Sequence, residues 1–292
     1  MPADHRAAID NLPELATWLE GQYDLRGRHP EREPLYAEYA ARSARFRDSS
    51  SWSCLRYAAP ERCTIDWFPP PGGSGAVPLL VFLHGGFWRA GDKRVFSFLA
   101  EPFVAEGVAV ALIGYELAPA VSVTRIAEQV AEAVAWLVKE AGRLGFDPSR
   151  ITLSGHSAGG HLSALLSAAP PAGFGVPRFH GVMPISGIFR LAPMLLTSIN
   201  HAARITPEEA VALSPALKAE FHGRRYHVLA GAGETEEFVS QTREFGAMME
   251  VACPGSTTAL VPGRHHFDIF QDLADPASPV FREALSLVSQ AA

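Results

Sequence analysis

A serine stands between two glycines in the segment Gly155–Gly159, which reads GHSAG. The apolar run ITLS precedes it and the small-residue run GHLSALLSAA follows, so the motif is predicted where a strand turns into a helix. Such a turn strains the serine backbone and exposes its hydroxyl, while the glycines let strand and helix approach closely. The helix start also directs free N–H groups, including that of Ala158, at the same point. We therefore predict Ser157 as a nucleophile and Ala158 as an oxyanion donor; the alternative is an ordinary Gly/Ser-rich turn.

A second motif, HGGFW at His84–Trp88, follows an apolar strand about 70 residues earlier. Adjacent glycines allow backbone N–H groups to face a reacting oxygen with no side chain between them. We predict Gly86 or Phe87 as the second oxyanion donor. His84 is expected to brace the loop. Trp88 is expected either to wall the substrate pocket or to belong to the core.

A nucleophilic serine requires a base, and the base requires an orienting carboxylate. Glu234, Glu236 and Glu237 follow the apolar strand YHVLAGA, and we select Glu234 because it is nearest the strand end. The base is expected in the loop after the last strand, where spacing alone leaves both His265 and His266 possible. This chemistry needs no cofactor, and the spacing around the two histidines gives no reason to expect a metal.

The elements that position these residues alternate along the chain. Apolar strands are predicted near residues 77–86, 108–116, 150–155, 179–189, 224–232 and 257–263, with helices near 93–107, 125–145, 157–169, 237–251 and 279–290. This alternation predicts an α/β fold with a mostly parallel central sheet covered by helices on both faces.

The organisation is predicted to be a single domain over residues 1–292, with a helical lead-in at 1–53 and a surface turn at 69–75. The stretch 188–225 exceeds a simple connection and is expected to form either a small helical lid or a peripheral helical pair. Within it, Thr206-Pro207-Glu208-Glu209 predicts a capped helix start.

Composition narrows the class of protein. The 292 residues are 48% hydrophobic and carry a net charge of −6, which suits a globular protein and disfavours nucleic acid as a partner. No apolar run approaches a membrane span, and the first 20 residues lack a signal-peptide core. Three scattered cysteines, Cys54, Cys63 and Cys253, do not suggest a disulfide framework. We expect a cytoplasmic protein acting on a small molecule, with a homodimer possible.

Together the motifs resemble the α/β-hydrolase superfamily and, within it, kynurenine formamidase (arylformamidase) and related esterases. The resemblance rests on HGGFW, YELAP, GHSAGGHL, ITPEEAVALSP, GETEEFVSQTREF and HHFD, between about Tyr57 and Phe270. It implies an α/β-hydrolase fold, Ser157 as nucleophile, His266 as base and Glu234 as acid. The family usually has aspartate where this chain has Glu234, and tyrosine is common where it has Phe87.

The resemblance implies a serine hydrolase that forms an acyl-enzyme on a small amide or ester. The expected substrate is an aryl formamide of the N-formylkynurenine type, in a pocket walled by Phe87, Trp88 and Phe267. The first alternative is a carboxylesterase acting on small aryl or short-acyl esters. A non-catalytic binding protein with a hydrolase fold is the remote alternative.

Overall fold

The computed structural model describes residues 12–72, 75–168, 170 and 173–290. The predicted surface turn at 69–75 therefore lies partly outside the described residues, at 73–74. The strands are β1 Ser53–Arg56, β2 Thr64–Phe68, β3 Val77–Leu83, β4 Ala109–Ile113, β5 Phe146–His156, β6 Gly181–Ile185, β7 His227–Gly231 and β8 Thr257–Val261. They form one sheet in the order β1-β2-β4-β3-β5-β6-β7-β8.

Most of this sheet is parallel. The first two strands pair antiparallel with each other, and β2 pairs antiparallel with β4, whereas the pairings from β4 through β3 to β8 are all parallel. Parallel strands are covered on both faces, which explains why β3, β4, β6 and β7 are almost continuously apolar. The predicted fold class is confirmed.

The α-helices are α1 Leu12–Tyr23, α2 Leu25–Arg28, α3 Arg32–Ser49, α4 Ala100–Ala105, α5 Val123–Leu144, α6 Ala158–Ala168, α7 Asn200–Ala203, α8 Pro207–Ala212, α9 Glu236–Ala252, α10 Ile269–Leu273 and α11 Pro279–Ser289. Short 3₁₀ helices span Lys93–Leu99, Ala192–Leu196 and Pro215–Leu217. No helix among the described residues combines the length and the apolarity required to cross a bilayer.

Alternating side chains of the central strands pack into two apolar layers, one on each face of the sheet. In β3, Leu79, Val81 and Leu83 pack into the layer built with α1, α5, α6 and α9. Leu80 and Phe82 point the other way, into the layer built with α3, α4, α10 and α11. This alternation follows from the two-residue period of a strand. Because β3, β5, β7 and β8 run parallel, their carboxyl ends lie at one edge of the sheet.

The structure gives more detail for two of the segments that were predicted to be helical. The segment at 93–107 begins as a 3₁₀ helix over Lys93–Leu99 and continues as α4. In the stretch 188–225, Thr206 caps α8 in a reciprocal capping box with Glu209, as predicted. That stretch is otherwise made of short helical pieces, and Ser198, which lies between two of them, donates its amide to Glu20 of α1 at 2.7 Å.

Candidate active site

Ser157 lies at the junction of β5 and α6 with a left-handed φ of 57°. A Cβ on Gly155 would lie 2.3 Å from the carbonyl oxygen of Gly159, and a Cβ on Gly159 would lie 2.0 Å from that of Leu83. Neither position can hold a side chain without moving backbone. The glycines therefore allow the strand and helix to meet at the angle that holds Ser157 in this strained conformation.

His266 and Glu234 form a buried pair beside this serine. The imidazole Nδ1 donates to Oε2 of Glu234 at 2.7 Å, and both side chains are almost completely buried. The other carboxylate oxygen accepts the amide of Gly231 at 2.8 Å. Because Nδ1 is engaged, Nε2 is the ring nitrogen available to the cavity that His266 and Ser157 both line.

The Ser157 hydroxyl makes no hydrogen bond with any residue in the described part of the chain. Hydrogen bonds between nucleophile and base are often long in ligand-free enzymes and shorten when substrate binds. In the structure, Ser157 and His266 line the same cavity, and the hydrogen bond between His266 and Glu234 is already formed.

The competing residues lie elsewhere. His265 stacks on His29 with ring centroids 4.1 Å apart. Glu236 is exposed at the start of α9, and Glu237 accepts hydrogen bonds from Tyr23 and from Gln241, the latter at 2.6 Å. Of His265 and His266, between which spacing left the choice open, His266 is the one that contacts Glu234.

The HGGFW loop lies directly against the serine. A Cβ on Gly85 would be 3.0 Å from Cβ of Ser157 and 2.9 Å from the His156 carbonyl oxygen, so only glycine allows this approach. Phe87 adopts a left-handed backbone with φ of 49°. Among the described residues, none accepts a hydrogen bond from the amides of Gly86, Phe87 or Ala158. These amides are free to bind an oxyanion.

His84 braces this loop. Its Nδ1 donates to the Gly85 carbonyl at 2.8 Å, and its ring stacks on Tyr115 with centroids 4.4 Å apart. Burial lowers the pKa of His84 to about 4, so the ring is neutral near pH 7.

Of the two roles predicted for Trp88, pocket wall or core, the structure shows burial in the core. Its side chain is 0% exposed and does not line the cavity above Ser157. The indole Nε1 donates to Nδ1 of His161 at 3.1 Å, and Nε2 of His161 donates to the Leu213 carbonyl at 2.8 Å. The left-handed backbone at Phe87 and Trp88 directs the indole inward, where it ties the loop to α6 and the stretch 188–225.

The cavity has a volume of about 280 Å³ and is built from distant parts of the chain. Ser157, His266, Phe87 and Phe267 line it, as predicted for the last two. The helical lead-in closes it from the other side and contributes lining residues that no sequence motif identified: Glu20, Tyr23, Asp24, Leu25, Arg26, Arg32 and Tyr36.

Comparison with known proteins identifies the family to which the chain belongs. A sequence profile of the BD-FAE family matches residues 65–171. Kynurenine formamidase of Salmo salar is 31% identical over 227 residues, which cover 75% of this chain and 76% of that protein. The chain belongs to the kynurenine formamidase family of α/β-hydrolases. Its members are hydrolases, and hydrolysis is the class of reaction that the family assigns to this chain.

Solved structures share the fold. A proposed thioesterase from Silicibacter sp. TM1040 is 31% identical and covers 92% of this chain and 98% of its own, with a TM-score of 0.80. Esterase B of Lactobacillus Rhamnosis, at 19% identity and a TM-score of 0.68, covers 88% of this chain and 92% of its own and shares the fold.

In this kynurenine formamidase-family chain, two positioning residues escaped sequence reasoning. Ser186, with a left-handed φ of 50° after β6, donates its hydroxyl to Oε1 of Glu234. His156 donates from Nε2 to the His266 carbonyl at 2.8 Å, and burial, with a smaller effect of the nearby His266, holds the pKa of His156 well below its usual value. The only sequence signal for His156 is its place in the GHSAG motif, and the only one for Ser186 is its place at the end of β6.

The donor types that bind transition metals occur together beside this site. Ring nitrogens of His29 and His265 and a carboxylate oxygen of Glu31 lie within 4.8 Å of one another. These groups are engaged with each other and with the chain: His29 contacts Glu31 at 2.7 Å, and Nδ1 of His265 accepts the Phe267 amide at 3.1 Å. Hydrogen bonding accounts for the cluster, and we assign it no part in the chemistry.

Proposed function

We propose that the protein is a serine hydrolase that works through an acyl-enzyme on Ser157. The observation that carries this proposal is the buried His266–Glu234 pair beside a strained serine that lines the same cavity. A carboxylate bound to Nδ1 fixes the tautomer in which Nε2 can accept a proton, and it stabilises the imidazolium that then forms.

In the first half-reaction Nε2 of His266 takes the hydroxyl proton as Ser157 Oγ bonds to the substrate carbonyl carbon. The negative charge moves to the carbonyl oxygen, where the amides of Ala158 and of Gly86 or Phe87 can donate to it. His266 then protonates the leaving nitrogen or oxygen as its bond to carbon breaks. In the second half-reaction His266 takes a proton from water as the water oxygen bonds to the acyl carbon. His266 then returns the proton to Ser157 Oγ as the acid leaves, which regenerates the serine.

The substrate we propose is an aryl formamide of the N-formylkynurenine type. Support comes from the name of the relative in Salmo salar and from the aromatic side chains Tyr36, Phe87 and Phe267 around the cavity. A small aryl or short-acyl ester is the second candidate, favoured by the description of the Silicibacter protein as a proposed thioesterase; attack on an ester differs from attack on an amide only in the atom that leaves.

The test compares wild type with Ser157→Ala on N-formylkynurenine and on p-nitrophenyl acetate, with fluorophosphonate labelling of both proteins. We expect labelling to require Ser157 and the substitution to lower kcat by about 10⁶-fold. Near-normal turnover by Ser157→Ala would refute the mechanism. Brisk ester cleavage with negligible formamide turnover would select the esterase, and absence of both labelling and turnover in wild type would favour a binding protein.

A further inference from the structure

Charged side chains of both signs line the cavity. The lining acids are Glu20, Asp24 and Asp92, and the lining bases are Arg26, Arg32 and Arg89. Their formal charges balance, but among the described residues these acids and bases do not pair with each other.

Each acid accepts a hydrogen bond from a donor other than the lining arginines. Glu20 accepts both the amide and the hydroxyl of Ser198, the amide at 2.7 Å. Asp24 accepts the amide of Gly27 at 3.0 Å. Asp92 accepts the amide of Arg94 at 2.9 Å, and its second oxygen lies 3.8 Å from Arg62, outside the cavity lining. Among the described residues, none of the three acids therefore forms an ion pair with a lining arginine.

The guanidinium groups of Arg26 and Arg89 make neither an ion pair nor a hydrogen bond with any residue in the ranges that the structure describes. Arg32 contacts Glu33, whose side chain is 74% exposed, whereas the Arg32 side chain is only 16% exposed. An ion pair with so exposed a partner is weak, since water and salt screen it.

Two aromatic rings hold Arg32 at the cavity wall. Its guanidinium carbon lies 5.4 Å from the centre of the Tyr36 ring and 5.7 Å from that of Phe267. Arg26 lines the same cavity, and burial, followed by the positive charge of Arg26, lowers the pKa of Arg32. An anion bound by both guanidinium groups would gain planar, bidentate hydrogen bonds.

The position of Phe267 indicates which part of the substrate would carry the anion. His266 protonates the leaving group in the proposed reaction, so the leaving group lies beside His266. Phe267 is the next residue, and Arg32 lies over its ring. An aryl leaving group that packs against Phe267 would therefore direct its outer substituent towards Arg32 and Arg26.

We propose that Arg26 and Arg32 form a subsite for a carboxylate on the leaving group of the substrate. This inference rests on the proposed function, because it places the leaving group by the role of His266. It makes the helical lead-in the part of the chain that selects anionic aryl substrates over neutral ones of the same shape.

The test uses matched substrates that differ in one charge. The formamide pair is 2-formamidobenzoate and 2-formamidobenzamide, and the ester pair is 2-acetoxybenzoate and 2-acetoxybenzamide. For each pair we define the charge selectivity as kcat/KM of the anion divided by that of the neutral compound. Comparing this ratio between variants cancels the intrinsic reactivity of the substrates.

We expect Arg32→Gln to lower the charge selectivity by about tenfold, chiefly through KM of the anion, since a charge-assisted hydrogen bond is lost. Arg26→Gln, at an exposed position that folding should tolerate, is expected to lower it in the same direction, and Arg32→Lys should restore part of it. Arg45→Gln, an exposed arginine of α3 outside the cavity lining, is the matched control and should leave the ratio unchanged.

A charge selectivity in the Arg26→Gln/Arg32→Gln double variant equal to that of wild type would overturn the subsite and leave the hydrolase proposal intact. Turnover of neither pair by wild type would overturn the hydrolase proposal and the subsite with it. Turnover of the ester pair alone, with the expected loss of selectivity, would support the subsite for an esterase.

Discussion

Replacing Glu234 by aspartate tests the contact on which the proposed chemistry depends. The change keeps the charge but removes one methylene, which withdraws the carboxylate by about 1.5 Å along the side chain. The 2.7 Å separation of Oε2 from Nδ1 of His266 would grow to about 4 Å, beyond hydrogen-bond range. The same withdrawal would weaken the hydrogen bonds that Ser186 and Gly231 donate to Oε1.

A hydrogen bond to a charged group contributes about 1.5–3 kcal/mol, and about 1.4 kcal/mol corresponds to a tenfold change in rate. We therefore expect Glu234→Asp to lower kcat by about 10- to 100-fold. KM should change little, since Glu234 is not among the residues that line the cavity. Glu234→Gln keeps the reach but offers no negative charge to the imidazolium, and we expect a larger loss of kcat.

Steady-state kinetics on p-nitrophenyl acetate, supported by thermal melting to verify folding, would measure these effects. Glu236→Asp at the exposed start of α9 is the matched control and should behave as wild type. If Glu234→Asp and Glu234→Gln both retain kcat within twofold of wild type, the carboxylate does not orient His266 and the reasoning fails.

Two further predictions follow from buried polar groups. Burial lowers the pKa of His84 and His161 to about 4, against about 6.5 in an unfolded chain, so between pH 6.5 and 4 the unfolded state binds protons that the native state does not. The free energy of unfolding should therefore decline as pH falls through this window, by up to about 3 kcal/mol per imidazole. Urea denaturation at several pH values should show a shallower decline for His161→Gln than for wild type. An identical decline in the two proteins would contradict the assignment. Ser186→Ala should lower kcat about threefold or more without raising KM, because the Glu234 carboxylate loses a donor that positions it. Recovery of kcat in Ser186→Thr, with KM unchanged, would support this positioning role. Full kcat in Ser186→Ala would exclude it.

Much of the fold could be predicted because its determinants are local. The strands around the site are short apolar runs. A strand buried on both faces can be recognised from its own continuous apolar sequence, without knowing which strands it pairs with. Ser157 was identifiable for the same reason, since the strand, the glycines and the helix that position it are contiguous in the chain.

The remaining features depend on contacts between distant residues. The inward direction of Trp88 follows from left-handed backbone angles at Phe87 and Trp88, which no residue pattern reveals for two bulky aromatic residues. The hydrogen bond from Ser186 to Glu234 joins residues 48 positions apart. Arg26 and Arg32 reach the cavity only because the lead-in helices fold back across the sheet, a tertiary arrangement with no local signature.

The helical lead-in and the reacting residues meet at the cavity but occupy separate stretches of the chain. Arg26 and Arg32 lie within the first 50 residues, whereas Ser157, Glu234 and His266 all come after the middle of the sequence. If Arg26 and Arg32 bind the substrate as proposed, exchanging the amino-terminal segment between homologues would change which substrates are accepted while Ser157, Glu234 and His266 stay the same.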